Sequence, residues 1–260
     1  MEYLISELER RNFRWAYRVV DTRAFGLPQR RGRLLLLASK AEDPRSVLLG
    51  PDTNGPTFAA RTEDPFCGFY WTEGHRGIGW SEDCLPPIKV GSGLGIPSPP
   101  AIWNPRDGTI FTPDIRDIER LQGFPEGWTE PADALGLRKL RWKLIGNSVS
   151  VPLAKWLGEQ LLSPSRYDDQ YDWRIPSLAK WPDAAWGGNG KRFCSAASMW
   201  PASIQLPPLS EFLRHPGRPL SPRAAAGLLS RLSRSRSRLP SRFRNDLRRL
   251  AESQMECAED

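Results

Sequence analysis

Apolar positions at the start of the chain recur at helical spacing. Leu4, Ile5 and Leu8 share one face of the stretch 2–12, and Asn12 supplies a stop. The period then drops to two. Trp15, Tyr17 and Val19 alternate through Arg14 to Asp21, which predicts a strand. After a turn at Gly26-Leu27-Pro28, the continuous apolar run Leu34 to Ala38 predicts a second strand over Arg33 to Ser39, buried on both faces. Helix, strand, turn and strand in this order suit one edge of a larger α/β sheet.

From Lys40 to Phe111 the periodicity fades. Gly, Pro, Asp and Trp dominate, and Pro97-Ser98-Pro99-Pro100 excludes a helix interior. The segment reads as a small, loop-rich domain with short strands. Helical spacing returns over Asp114 to Leu121, with Thr112 as the expected N-cap and Pro113 in the first turn. A further helix is predicted over Leu140 to Leu162, ended by Ser163-Pro164. Its buried stripe is Leu144, Val151, Ala154, Leu157, Leu161 and Leu162. Residues 163–208 are rich in Trp and Pro, and Ser221-Pro222 opens a last helix. The expected divisions are therefore 1–39, 40–111, 112–162 and 163–260.

Composition narrows the picture. The chain has 260 residues, enough for one large domain or two small ones, and 25 Pro with 22 Gly imply much irregular structure. The formal charge of +7 is unevenly placed. Between Glu211 and Leu250 eleven arginines meet two acidic residues, so that segment carries +9 and the rest −2. A nucleic-acid role for the body must rest on its motifs. The Arg/Ser stretch 230–244 reads equally as a phosphate-binding tail or as a helix face packed through Leu228, Leu229, Leu232 and Leu239. No apolar run is long enough to span a membrane, and no basic-then-apolar leader opens the chain, so a cytoplasmic protein is expected. Cys67, Cys84, Cys194 and Cys257 are scattered without metal-ligand spacing, and His75 and His215 lack partners, so no metal is expected.

Three short motifs carry the chemistry. Residues 25–33 read Phe-Gly-Leu-Pro-Gln-Arg-Arg-Gly-Arg. Alternate residues leaving a turn into a strand project the same way, so Gln29, Arg31 and Arg33 are expected on one face. Two guanidinium groups so placed suit bidentate binding of a phosphate or carbonyl oxygen, though solvated arginines at a strand edge give the same pattern. Residues 120–125 read Arg-Leu-Gln-Gly-Phe-Pro, in which Leu121 and Phe124 suit core anchors around a C-cap at Gly123. Residues 146–149, Gly-Asn-Ser-Val, precede a helix and could cap it or turn backbone N–H groups toward a ligand.

In that order the three motifs resemble the closing motifs of the DNA (cytosine-5) methyltransferases, over roughly residues 1–162. The resemblance implies a partial edge of a Rossmann-like, S-adenosylmethionine-dependent methyltransferase sheet, a small target recognition domain over 40–111 and a C-terminal extension. It implies that Arg31 and Arg33 hold a flipped cytosine and its flanking phosphates. The Arg120–Pro125 segment would brace the recognition domain, with either Asp117 or Glu119 as the orienting acid. Asn147, Ser148 and Val149 would complete part of an S-adenosylmethionine site. Double-stranded DNA is the implied substrate, and Gln29, Arg76, Lys89, Ser92, Gly93 and Trp103, with Lys40, are candidate contacts to it.

Other family motifs do not occur. The sequence contains no Pro-Cys dipeptide for the nucleophile, no Glu-Asn-Val for the acid at N3 and no opening Phe-x-Gly-x-Gly turn. The resemblance thus points to the C-terminal part of such an enzyme, completed by a complementing chain. A DNA-binding module without catalysis and a truncated gene product are the alternatives. Restriction–modification, phage protection and gene decay are equally open at this stage.

Overall fold

The computed structural model describes residues 1–59, 63–75, 77–89, 99–136, 140–176, 179–235 and 238–256. Along the chain come α1 (Glu2–Arg10), β1 (Arg14–Asp21), β2 (Gly32–Ser39), α2 (Arg45–Leu48), β3 (Cys67–Phe69), β4 (Ser81–Glu82), β5 (Ala101–Trp103) and β6 (Ile110–Thr112). Then follow α3 (Ile115–Leu121), α4 (Pro131–Ala134), α5 (Leu140–Asn147), α6 (Val151–Leu162), β7 (Trp173–Arg174), β8 (Ala184–Gly188) and β9 (Lys191–Cys194). The last elements are α7 (Leu209–Phe212), β10 (Arg218–Pro219), α8 (Pro222–Leu232) and α9 (Ser241–Glu256). They divide into two compact units, one of residues 1–26, 31–57 and 150–206 and one of residues 27–30, 58–149 and 207–260. These units cut across the segments expected from sequence: 40–57 fold with the first, and the stretch after 163 is shared between both.

The first unit is built on a five-stranded antiparallel sheet of order β2-β1-β8-β9-β7. Side-chain alternation sends Leu35 and Leu37 of β2 to one face, against Val47, Leu48, Leu153 and Trp156 of α2 and α6. Leu36 and Ala38 go to the other, with Trp15, Tyr17 and Ile5 of α1. Both faces of β2 are thus covered, as its apolar run suggested. Yet β2 is the outermost strand, so Leu34 is 45% exposed and the strand is half-buried rather than enclosed. The β1–β2 pairing fixes which backbone groups face outward. Thr22 N–H donates to the Arg31 carbonyl at 3.1 Å. Counting down the register, Val19/Leu34, Tyr17/Leu36 and Trp15/Ala38 are then the pairs that exchange no hydrogen bonds. Val19 N–H accordingly turns to the other neighbour, donating to Asp183 O at 2.7 Å. Leu34, Leu36 and Ala38 turn theirs to the open edge.

Strands β7 to β9 lie in the Trp-rich stretch, whose tryptophans act as anchors. Trp186 stacks on Phe193 at 4.4 Å, and Trp181 packs against Trp15 and Tyr17. The expected C-terminal extension therefore supplies three of the five strands of this sheet. Arg18 is fully buried and donates to the carbonyls of Leu48, Pro51 and Ser198 and to Asp52, fastening two loops to β1.

The second unit carries another five-stranded antiparallel sheet, of order β10-β6-β5-β3-β4. Helices α8 and α9 lay Leu228, Leu232, Phe243 and Leu247 on it, among Phe69, Trp103 and Ile110. Of the described part of the Arg-rich stretch, Leu232 is buried with Leu228 on this sheet and Leu229 and Leu239 pack against it, while Arg231 donates to the carbonyls of Glu73 and Trp71. Ser221 caps α8 by accepting from Ala224 N–H at 3.3 Å, as its Ser-Pro start signalled. Asp114, and not Thr112, caps α3, because its carboxylate accepts Arg116 N–H at 2.9 Å. The single helix expected over 140–162 is two. Pro152 has no N–H for the carbonyl four residues back, so the chain leaves the helix after Asn147 and restarts at Val151. Among the described strands all sheet pairing is antiparallel, and the Rossmann-like edge expected from sequence is not distinguished in it.

Candidate functional site

The three motifs converge through one glutamine. Gln122, inside the Arg120–Pro125 segment, is fully buried just beyond α3. Its Oε1 accepts from Gln29 Nε2 at 2.9 Å, and its own Nε2 donates to Ser148 O at 3.0 Å. Gln29 Nε2 also donates to Leu121 O at 2.8 Å, and Ile88 N–H donates to Gln29 Oε1 at 3.4 Å. One amide thereby ties the arginine turn to the Gly-Asn-Ser-Val motif. It can do so because the break before Pro152 leaves the Ser148 carbonyl outside the helical ladder.

These bonds correct the expectation for Gln29. It is fully buried with its amide committed inside the protein, so it braces the motifs and cannot reach a DNA base. Nor do Gln29, Arg31 and Arg33 form one strand face, because β2 starts at Gly32. Arg31, 2% exposed, sits immediately before that strand. Arg33 is half-buried on it, with Nη1 donating to Gly32 O at 2.9 Å.

Both acids beside the hexapeptide are used, each for a different loop. Glu119, fully buried, accepts Gly127 N–H at 2.7 Å, Thr129 N–H at 2.9 Å and Arg141 Nη2 at 3.0 Å. Asp117, also buried, accepts Arg120 Nη1 at 2.8 Å and the N–H groups of Arg214 and His215 at 3.0 Å each. Arg141 completes its fork on Asp133 at 2.9 Å. The sequence alone leaves Asp117 and Glu119 open as the orienting acid. It does not anticipate Thr129 and Arg141 as the partners of Glu119, nor Gln122 as the partner of Gln29 and Ser148.

Within the motif 146–149, Asn147 and Val149 are exposed, and Ser148 donates to Ile145 O at 2.7 Å. Ser148 also lines a cavity of about 300 Å³ with Phe124, Trp128 and Leu144. Trp128 is 59% exposed and stacked on Phe124 at 5.6 Å, offering a flat aromatic wall.

The other candidate DNA contacts fare unequally. Trp103 is 4% exposed in β5, its indole donating to Asp246 at 2.9 Å among Trp80 and Phe243; it is a core residue and not a reader. Lys89 remains partly exposed, paired with Glu73 and held 4.0 Å above the Tyr70 ring. Lys40 stands over Phe13. Arg76, Ser92 and Gly93 lie outside the described residues.

Three cysteines, Cys67, Cys84 and Cys194, are buried. Desolvation, with Glu82 nearby, pushes the Cys67 thiol up to about 12, and burial raises Cys194. A thiol so shifted is protonated at neutral pH and a poor nucleophile. Among the described residues no group of His, Cys, Asp and Glu is arranged for a metal. No described helix is long and apolar enough to cross a membrane.

The chain is 43% identical over 264 residues to the Type II methyltransferase M2.BsuMI of Bacillus subtilis (strain 168), a match covering 98% of the chain and 68% of that protein. No family model and no solved structure matches it. At that identity and coverage the chain belongs to the Type II methyltransferases, and so is of the class of enzymes that transfer methyl groups.

Proposed function

We propose that this chain is the target-gripping part of a DNA (cytosine-5) methyltransferase, active when a second polypeptide supplies the cysteine nucleophile. One observation carries the reading. Gln122 of the Arg120–Pro125 segment is hydrogen-bonded both to Gln29 of the arginine turn and to Ser148 of the Gly-Asn-Ser-Val segment, so residues from all three motifs that resemble this family share one buried amide. The burial of Cys67, Cys84 and Cys194, with the thiols of Cys67 and Cys194 raised by desolvation, agrees with a nucleophile that comes from elsewhere.

The roles follow from chemistry. Methylation at C5 requires the cytosine to leave the duplex, which costs a few kcal/mol of stacking and pairing. Arg31 and Arg33 would offset this by donating to the extruded base and its phosphates. S-adenosylmethionine would supply the methyl group. The residues present fit part of its site: Asn147 and Val149 are accessible, and Ser148, Phe124 and Trp128 wall a cavity suited to a flat nucleoside. Lys89 is the described candidate for contacting DNA in the recognition segment. Such an enzyme acts on DNA in the cytoplasm, and the M2.BsuMI likeness favours a role in restriction–modification.

The test is transfer of labelled methyl from S-adenosylmethionine to duplex DNA. This chain is assayed alone and together with a polypeptide carrying the Pro-Cys, Glu-Asn-Val and Phe-x-Gly-x-Gly motifs. Transfer only with both chains is expected, with the label at cytosine C5. Transfer by this chain alone would overturn the assignment of the nucleophile. Retention of DNA without transfer in either arrangement would favour a binding module with no catalytic output.

A further inference from the structure

The arginines of the last helix form part of a shaped groove on the second unit. The turn 104–109 and the start of α9 enclose a polar groove of about 330 Å³, lined by Arg106, Ser241, Arg242, Asn245 and Arg249. At its base lies Asp246, 6% exposed, which accepts Trp103 Nε1 at 2.9 Å and Arg249 Nη2 at 2.7 Å. A buried carboxylate thus positions an arginine whose side chain is itself 75% exposed. Gly108 lets the turn close down on this base. Its φ is +79°, and a Cβ there would stand 2.9 Å from the Asp246 carboxyl carbon. That close approach brings Arg106 beside Arg242, whose Nη2 lies 3.5 Å from Arg106 O. The Asp107 carboxylate is turned to Thr109, accepting its N–H at 2.8 Å and its hydroxyl at 2.7 Å.

We propose that this groove binds phosphates of the DNA backbone, a contact separate from the motifs described above. The inference rests on the reading of the chain as a DNA methyltransferase. Three guanidinium groups, an amide and a hydroxyl converge on one accessible groove, and these are the donors that phosphate oxygens accept. The segment Glu211–Leu250, which contributes most of them, carries +9 while the rest of the chain sums to −2. A contact of this kind positions a duplex without reading its sequence.

The experiment measures anisotropy of a fluorescent duplex with the full chain, over a series of salt concentrations. The triple variant Arg106→Gln/Arg242→Gln/Arg249→Gln is compared with Arg10→Gln/Arg11→Gln/Lys155→Gln, which removes equal charge from the first unit. Each phosphate contact contributes about 0.9 to the slope of log K against log salt. The groove variant is therefore expected to lose about two to three units of slope and at least tenfold in affinity, and the control much less. Asp246→Asn separates positioning from bulk charge. It makes the protein more positive by one, so simple attraction would tighten binding, whereas release of Arg249 weakens it. Equal slopes for the two triple variants, both folded by circular dichroism, would overturn the groove alone. Tighter binding by Asp246→Asn would overturn the positioned arginine. Failure of the unaltered chain to bind duplex would overturn both the groove and the DNA-binding reading beneath it.

Discussion

Replacing Gln122 with leucine tests the brace between the motifs. The side chain is fully buried and similar in size to leucine, so the substitution changes polarity more than volume. Two groups lose a partner: Gln29 Nε2 loses the acceptor at 2.9 Å, and the Ser148 carbonyl loses the donor at 3.0 Å. Each buried polar group deprived of a partner costs about 1–3 kcal/mol. The apolar leucine recovers about 1–2 kcal/mol of that. The net expectation is a loss of about 1–4 kcal/mol, a substantial part of the roughly 5–15 kcal/mol that holds a domain folded. Guanidinium unfolding followed by far-ultraviolet circular dichroism measures it. The paired variant Gln29→Leu/Gln122→Leu gives the sharper readout, because removing both partners is cheaper than removing one. The two single losses should exceed the double loss by about 1–2 kcal/mol. A single loss below about 0.5 kcal/mol, or strict additivity, would refute the brace.

Four further outcomes are expected. Arg18→Met leaves the carbonyls of Leu48, Pro51 and Ser198 without their donor at a fully buried position, while Asp52 keeps Ser198 and solvent, and should destabilise by about 2–4 kcal/mol, read by thermal denaturation. Thiol labelling of the native chain at pH 8 should spare Cys67, Cys84 and Cys194 until denaturant is added. Because the folded Cys67 pKa lies above that of an unfolded thiol, unfolding releases a proton at alkaline pH. Stability should therefore fall as pH rises from the unfolded value of about 8.5 toward 12. Gly108→Ala meets both a left-handed backbone and the Asp246 carboxyl, and should cost more than 1 kcal/mol while weakening DNA binding as Asp246→Asn does.

The first elements were legible from local pattern. Alternation of Trp15, Tyr17 and Val19 marks β1, although Ala16 and Arg18 on its other face are buried as well, and Asn12, in the left-handed region at φ 61°, ends the chain's first helical pattern. The break between α5 and α6 was written in Pro152, but the apolar stripe running through it hid the interruption. What sequence could not reveal was pairing at long range. β1 receives β8 from some 170 residues away, and Trp103 finds Asp246 across 143. Neither alternation nor charge spacing encodes such partners. The motif residues were visible in the same partial way. Their order pointed to chemistry, while the identity of Gln122 as their common tie depended on which buried amide faced which carbonyl.

Strand β2 shapes how this protein behaves in a test tube. Edge strands of soluble proteins are usually guarded by a charge, a proline or a bulge. From Leu34 to Ala38 this one has none, and its outward amides and carbonyls repeat regularly beside an exposed leucine. At high concentration two copies should zip edge to edge, or many should stack, and light scattering should rise with time. Leu34→Lys places a gatekeeping charge at an exposed position and should keep the chain monodisperse while leaving its melting temperature nearly unchanged. Handling the protein therefore depends on an open row of backbone hydrogen bonds as much as on its charge.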